Sequence, residues 1–216
     1  MSTTRSLDLT DLYHELADLL GPSGWWPADS KFEILVGAIL VQNTNWRNVD
    51  KSLDNLRAAT QFKPQAIAAL ASDDLQELIR PSGFYRNKSR AINGLFSWLT
   101  HANFDLDLIA TTEPARLRQQ LLALPGIGEE TADAIRLYVF DQPTFIADNY
   151  CRRLFGWLGA DFSTYTKLKA RTHEVEAWDL VDAQEFHGLI DNFGKTVKSA
   201  EDFANSPLVD VHLELQ

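Results

Sequence analysis

Apolar residues recur along most of the chain at intervals of three and four, the spacing of one face of an α-helix. In LTDLYHELADLL they set Leu9, Leu12, Leu16 and Leu19/Leu20 on one stripe, with Thr10 or Asp11 near its start. KFEILVGAILVQ is apolar on nearly all sides and suits a buried helix. A strand competes for so apolar a run, but its length and Gly37 and Ala38 favour helix. NWRNVDKSLDNLRAA returns to amphipathic spacing, and further helices are predicted at 64–71, 73–80, 87–101, 114–124, 130–140, 149–158, 164–176 and 182–199. Turns fall at Gly21-Pro22, Pro81-Ser82-Gly83, Thr111–Pro114, Pro125–Gly128 and Gln142-Pro143. No alternating strand pattern or low-complexity segment stands out. The expected fold is all-α, with roughly ten short helices.

LPGIGEETADAI interrupts this pattern. PARLRQQLLAL before it carries Leu117, Leu121, Leu122 and Leu124 at helical spacing, and helix resumes near Glu130. Pro125 discourages continued helix, and Gly126 and Gly128 permit a tight turn around Ile127. The segment predicts a hairpin between two helices. Exposed amides at the start of the second helix attract an anion without lysine or arginine, and a DNA phosphate fits such a site. A plain helix–helix connector is the alternative.

Composition changes this picture little. The 216 residues are 45% hydrophobic, enough for a substantial core in one large domain or two small ones. The formal charge of −10 argues against binding nucleic acid by bulk attraction but allows a local basic face. Cys151 is the only cysteine, which excludes an intramolecular disulfide and an all-cysteine zinc or iron–sulfur site. No leader and no bilayer-length apolar run is present, so a soluble intracellular protein is expected.

LPGIGEETADAI followed by PTFIADNYCRRLFGWLG resembles the helix-hairpin-helix DNA glycosylases of the endonuclease III group. FEILVGAILVQNTNW, IRPSGFYRNKSRAI and EFHGLIDNFGK extend the likeness over about residues 25–198. The resemblance implies two helical subdomains flanking a DNA-binding cleft. Residues 30–141 would form a central barrel carrying the hairpin, and 1–29 with 142–216 the second subdomain, carrying the catalytic aspartate. Double-stranded DNA containing damaged bases would be the partner, with no membrane, of a monomeric cytoplasmic protein associated with the bacterial nucleoid.

Two departures narrow the implied activity. Glu130 stands where bifunctional members carry the lysine that forms a Schiff base, which a carboxylate cannot do. SAEDFANSPLVDVHLELQ, after Lys198, lacks the cysteines of an iron–sulfur loop. Both features are similar to bacterial 3-methyladenine DNA glycosylases without the cluster, as are Trp25-Trp26-Pro27, Gln42-Asn43-Thr44 with Trp46, and Arg80–Tyr85. No cofactor is expected, although the hairpin leaves room for a monovalent or divalent cation.

The resemblance then assigns residues, each with a plainer alternative. Asp148 would be the principal catalytic group, stabilising an oxocarbenium-like sugar or orienting water; its plain role is a helix N-cap. Glu130 would contact the base or water, although an acid in a first helical turn needs no further reason. Trp25, Trp26 and Trp46 would wall the base pocket, with Pro27 shaping it and Lys195 near it; core anchoring competes for the tryptophans. A cationic alkylpurine gains about 0.5–2 kcal/mol from each cation–π contact. Gln42 would fill the gap left in the duplex or solvate a helix end. Arg80, Arg86, Lys88 and Arg90 would contact phosphates with the hairpin residues Gly126, Ile127 and Gly128, or form a solvated face. His187 packs rather than ligating metal. The implied activity is monofunctional removal of N3-alkylated adenine in base-excision repair. A glycosylase for uracil or thymine opposite guanine, and a non-catalytic damage-binding module, are the alternatives.

Overall fold

The computed structural model describes residues 4–215. Thirteen α-helices dominate these residues: α1 (Leu9–Leu20), α2 (Lys31–Leu40), α3 (Trp46–Thr60), α4 (Pro64–Ala68), α5 (Ser72–Leu78), α6 (Tyr85–Thr100), α7 (Leu106–Thr112), α8 (Leu117–Leu122), α9 (Glu129–Tyr138), α10 (Asn149–Trp157), α11 (Tyr165–Lys169), α12 (Leu180–Thr196) and α13 (Ala200–Ala204). Two three-residue strands, β1 (Arg5–Leu7) and β2 (Val211–Leu213), pair in parallel, with Arg5 opposite Val211 and Leu7 opposite Leu213. The fold is therefore predominantly α-helical, with a minor sheet that a period-two search over such short runs does not reveal.

The chain divides into two compact units, one of Ala28–Asp141 and one formed by the segments before and after it. In the central unit, α2 is the spine. Ser30 caps it, accepting from the Glu33 amide at 3.2 Å, and Leu35, Val36, Ile39 and Leu40 are fully buried. It packs against α3, α6 and α9. Glu33, also buried, is held by Arg57 of α3 at 2.5 Å. In the other unit, α12 packs against α1 and α10. Its Phe186, Leu189 and Phe193 are buried, as are Leu9, Leu12 and Leu16 of α1.

Three elements differ from the sequence expectation. The predicted helix over 164–176 is broken into α11 and a 3-10 turn at His173–Ala177. The Thr172 hydroxyl between them donates to the carbonyls of Leu168 and Lys169. Helix α7 has no buried residue, hence no stripe to read; the Asp105 carboxylate caps it, accepting from the Leu108 amide at 2.8 Å. Helix α12 stops at Thr196 rather than near 199, because Ser199 and Asp202 form the capping box of α13.

Candidate nucleic-acid interface and active site

The hairpin lies between α8 and α9. Gly126 has φ +75°, and a Cβ there would stand 2.8 Å from the Ala91 Cβ of α6, so both backbone conformation and close approach require glycine. Ile127 is buried beneath the turn. Gly128 is the N-cap of α9 with extended backbone; no side chain caps the helix, and a Cβ at 128 would meet nothing within 4 Å. The start of α9 thus lacks a side-chain cap, and the space beside Gly128 is open. Gln42, just beyond α2, donates its amide to the Gly126 carbonyl at 3.1 Å and the Thr131 hydroxyl at 2.9 Å, tying the α2 end to the hairpin. A Gly126→Ala variant is expected to lose about 1–3 kcal/mol through strain and overpacking, and to bind duplex DNA more weakly. Thermal unfolding and a binding titration check both effects.

A buried ionic cluster holds the two hairpin helices in register. Asp133 of α9 is fully buried and accepts from Arg118 of α8 at 2.8 and 3.0 Å and from Arg136 at 3.2 Å. Arg118 also reaches Glu129 at 3.3 Å. Glu130 is exposed in the first turn of α9.

Beside the hairpin, Gln42, Asn43, Phe84, Asn87, Lys88, Ala91 and Gly126 line a cavity of about 120 Å³. Phe84 is 65% exposed and adopts a left-handed backbone, φ +47°. A large aromatic held outward in a strained conformation is a contact candidate that sequence reasoning missed; its place in GFYRNK hid it as turn chemistry. Arg86 and Arg90 are exposed and face a shallow concavity between α5 and α6. Arg80 is exposed, ion-paired with Glu77 and 4.6 Å over the Tyr85 ring. Lys88 departs from the expected phosphate contact. It is 3% exposed, and its ammonium donates to the Leu40 and Ser82 carbonyls instead. The (i, i+4) position that sets Lys88 inward places it on the packed face of α6. Trp46, half-buried, opens α3 behind the Asn45 cap, which accepts from the Asn48 amide at 3.1 Å.

The other unit holds the remaining candidates. Asp148 is the N-cap of α10; its Oδ1 accepts from the Cys151 amide at 2.8 Å, and the residue keeps partial exposure. Burial pushes the Cys151 thiol well above its ordinary range. Trp25 and Trp26 sit half-buried with ring centroids 5.0 Å apart, and Pro27 is exposed. Their loop lies against α12, where a Cβ on Gly188 would come within 2.7 Å of the Trp25 Cβ. Glu185 accepts from the Ser23 hydroxyl at 2.7 Å, and Asn192 donates to the Ser23 carbonyl at 3.2 Å. These anchors of the tryptophan loop went unread in the sequence. The Lys195 ammonium stands 4.5 Å over the Trp25 ring and is ion-paired with Asp191, whose carboxyl burial pushes upward against the pull of Lys195.

His187, one turn before Asp191, lies 6.4 Å from the Trp25 ring. Desolvation, helped by the Lys195 charge, drives its imidazole down to about 3 from 6.5. The fold therefore holds it neutral, while the unfolded chain takes up a proton below about 6.5. Its contribution to stability is complete above that pH and is lost as pH falls towards 3. Unfolding followed across this range is expected to show a steeper decline for the wild type than for His187→Asn.

Comparison with known proteins bears on this arrangement. Residues 36–180, about two thirds of the chain, match the model of the HhH-GPD superfamily of base excision DNA repair proteins. This chain belongs to that superfamily. An inferred DNA repair glycosylase of Methanocaldococcus jannaschii is 36% identical over 183 residues, 83% of each chain. The H. pylori 3-methyladenine DNA glycosylase bound to 1,N6-ethenoadenine superposes with a TM-score of 0.75 at 30% identity, over 88% of this chain and 98% of that one. An endonuclease III–DNA complex superposes at 0.73 with 22% identity, over 92% and 90% of the two chains, which shows the shared fold. The HhH-GPD protein thus has the glycosylase-type fold of base-excision repair. Among its described residues no three His, Cys, Asp or Glu side chains converge as a metal site. An iron–sulfur cluster does not fit this donor set: the sole cysteine is buried in α10. Its C-terminal segment is fastened instead by the α13 capping box, buried Leu208 and Leu213, and the pairing of β2 with β1. No described helix is long and apolar enough to cross a membrane.

Proposed function

We propose that this HhH-GPD protein is a monofunctional glycosylase that flips an alkylated purine, 3-methyladenine foremost, out of duplex DNA and hydrolyses its N-glycosidic bond. The observation that carries the substrate class is the tryptophan loop: two indoles held against α12, a wall suited to the π-face of a purine. The likeness to a solved 3-methyladenine glycosylase holding an ethenoadenine supports it. In this reading the uncapped amide end of α9 grips a phosphate, while Gln42 and Phe84 enter the stack vacated by the flipped base. Arg80, Arg86 and Arg90 add phosphate contacts, and half-buried Trp46 offers a further aromatic face. Asp148 faces the sugar. An alkylated adenine departs as a neutral base, so the carboxylate need only stabilise the sugar cation or orient water.

Glu130 occupies the lyase position and supplies no amine, so hydrolysis by water ends the reaction. The placement of Lys195 over Trp25 favours a second reading, a neutral base such as an etheno adduct, because the ammonium already occupies one indole face and repels a second cation. Free-base release from methylated, ethenoadenine-containing and uracil- or thymine-mismatched duplexes, resolved by chromatography, decides between them. Release of 3-methyladenine is expected, with no covalent protein–DNA adduct on borohydride treatment. Release of uracil or thymine alone would overturn the alkylpurine reading, and a trapped adduct would overturn the monofunctional one.

A further inference from the structure

Lys88 lies in the first turn of α6, buried, and its ammonium donates to two backbone carbonyls, Leu40 at 2.8 Å and Ser82 at 2.7 Å. Among the described residues no carboxylate pairs with it. Burial alone pushes the amine down to about 8. An unpaired buried cation is an expensive way to fill space, since an apolar side chain of the same length packs there without desolvating a charge.

The positions of the two acceptors give the cost a purpose. Leu40 is the last residue of α2, two before Gln42; Ser82 closes the 3-10 turn Arg80–Ser82, two before Phe84. One ammonium therefore fastens both segments that end at the mouth of the hairpin cavity, which Gln42, Phe84 and Lys88 itself line. The Leu40 carbonyl belongs to the open C-terminal end of α2, where a cation is favoured. Phe84 keeps its left-handed backbone only because its surroundings over-determine it, and the bond to Ser82 is part of that constraint.

We propose that Lys88 is a positioning residue, a buried cationic clip that presents Gln42 and Phe84 together for entry into the DNA stack. The proposal rests on the glycosylase reading given above. It assigns Lys88 no phosphate and no role at the reacting atoms.

The test uses the full chain and a duplex in which 2-aminopurine adjoins a tetrahydrofuran abasic-site analogue. Wild-type protein at saturation is expected to raise the fluorescence by unstacking the probe. Lys88→Met is expected to lower the unstacked-to-stacked ratio about five- to tenfold, the worth of one or two buried hydrogen bonds, and Lys88→Arg to restore part of it. All three are expected to share one slope of log affinity against log salt. A slope smaller by about one in Lys88→Met would reveal a phosphate contact and overturn the proposal. So would full unstacking by Lys88→Met with only its melting temperature lowered, which marks a purely structural residue. Lys88→Leu, which also removes the donors, takes the place of Lys88→Met if that variant does not fold, with the same outcomes. No fluorescence rise with the wild type would overturn the glycosylase reading and this proposal together; a rise retained by the variant overturns only the latter.

Discussion

An Asp148→Asn variant is expected to bind damaged duplex DNA as the wild type does and to release base about 10²–10⁴-fold more slowly. The geometry makes this a clean substitution. Asp148 Oδ1 caps α10 by accepting from the Cys151 amide, and an asparagine Oδ1 accepts the same bond. Asp and Asn are near equals as N-caps, so the helix and the residues it positions stay in place. What changes is the charge. If the carboxylate stabilises a sugar cation or orients water, a neutral amide of the same shape does neither well. Single-turnover release measured beside a binding titration separates the effects. Unchanged release would leave Asp148 as a cap alone, whereas binding of damaged duplex with no base release by the wild type itself would favour the non-catalytic damage-binding module. Asp148→Ala would be a poorer test, since loss of the cap costs about 1 kcal/mol and disturbs α10 as well.

The largest loss of stability is expected at Asp133. The carboxylate is fully buried between Arg118 and Arg136, so Asp133→Ala removes the buried anion to which both guanidinium groups donate. Breaking a buried pair from one side costs about 3–5 kcal/mol. For a chain of this size that corresponds to roughly 6–20 °C in Tm. Because Arg118 and Asp133 join α8 to α9 across the hairpin, DNA binding measured well below the lowered Tm is expected to weaken too. Arg118→Met should cost less, since Arg118 is 30% exposed and water replaces part of what is lost. Equal melting temperatures for wild type and Asp133→Ala would mean that the cluster contributes specificity of packing rather than stability.

Much of the fold was legible in the sequence, for reasons visible in single elements. Leu9, Leu12 and Leu16 of α1 and the mostly apolar α2 are buried where their periodicity places them, whereas Leu19 and Leu20, at the end of the predicted α1 stripe, are exposed. The interruption at Leu124–Gly128 reads as a hairpin because proline and two glycines have few other uses between amphipathic helices. What escaped had no periodic signature. Strands β1 and β2 are three residues long and meet from opposite ends of the chain. Helix α7 buries nothing, and the 164–176 run is split by a local hydroxyl bond.

For the site, sequence alone determined the residues on offer: a hairpin of proline and two glycines, a carboxylate at Glu130, paired tryptophans, and a single cysteine where a cluster needs four. These follow from residue identity, which no packing alters. Only the tertiary structure decided direction and partnership. RPSGFYRNKSR reads as one basic run, yet helical rotation sends Arg86 and Arg90 outward and Lys88 into the interior, and the turn before them turns Phe84 out. Gln42, Asp133, Glu185 and Lys195 likewise draw their roles from residues far along the chain. Charge and side-chain type are local properties; which groups a buried ion faces is set by how the helices pack.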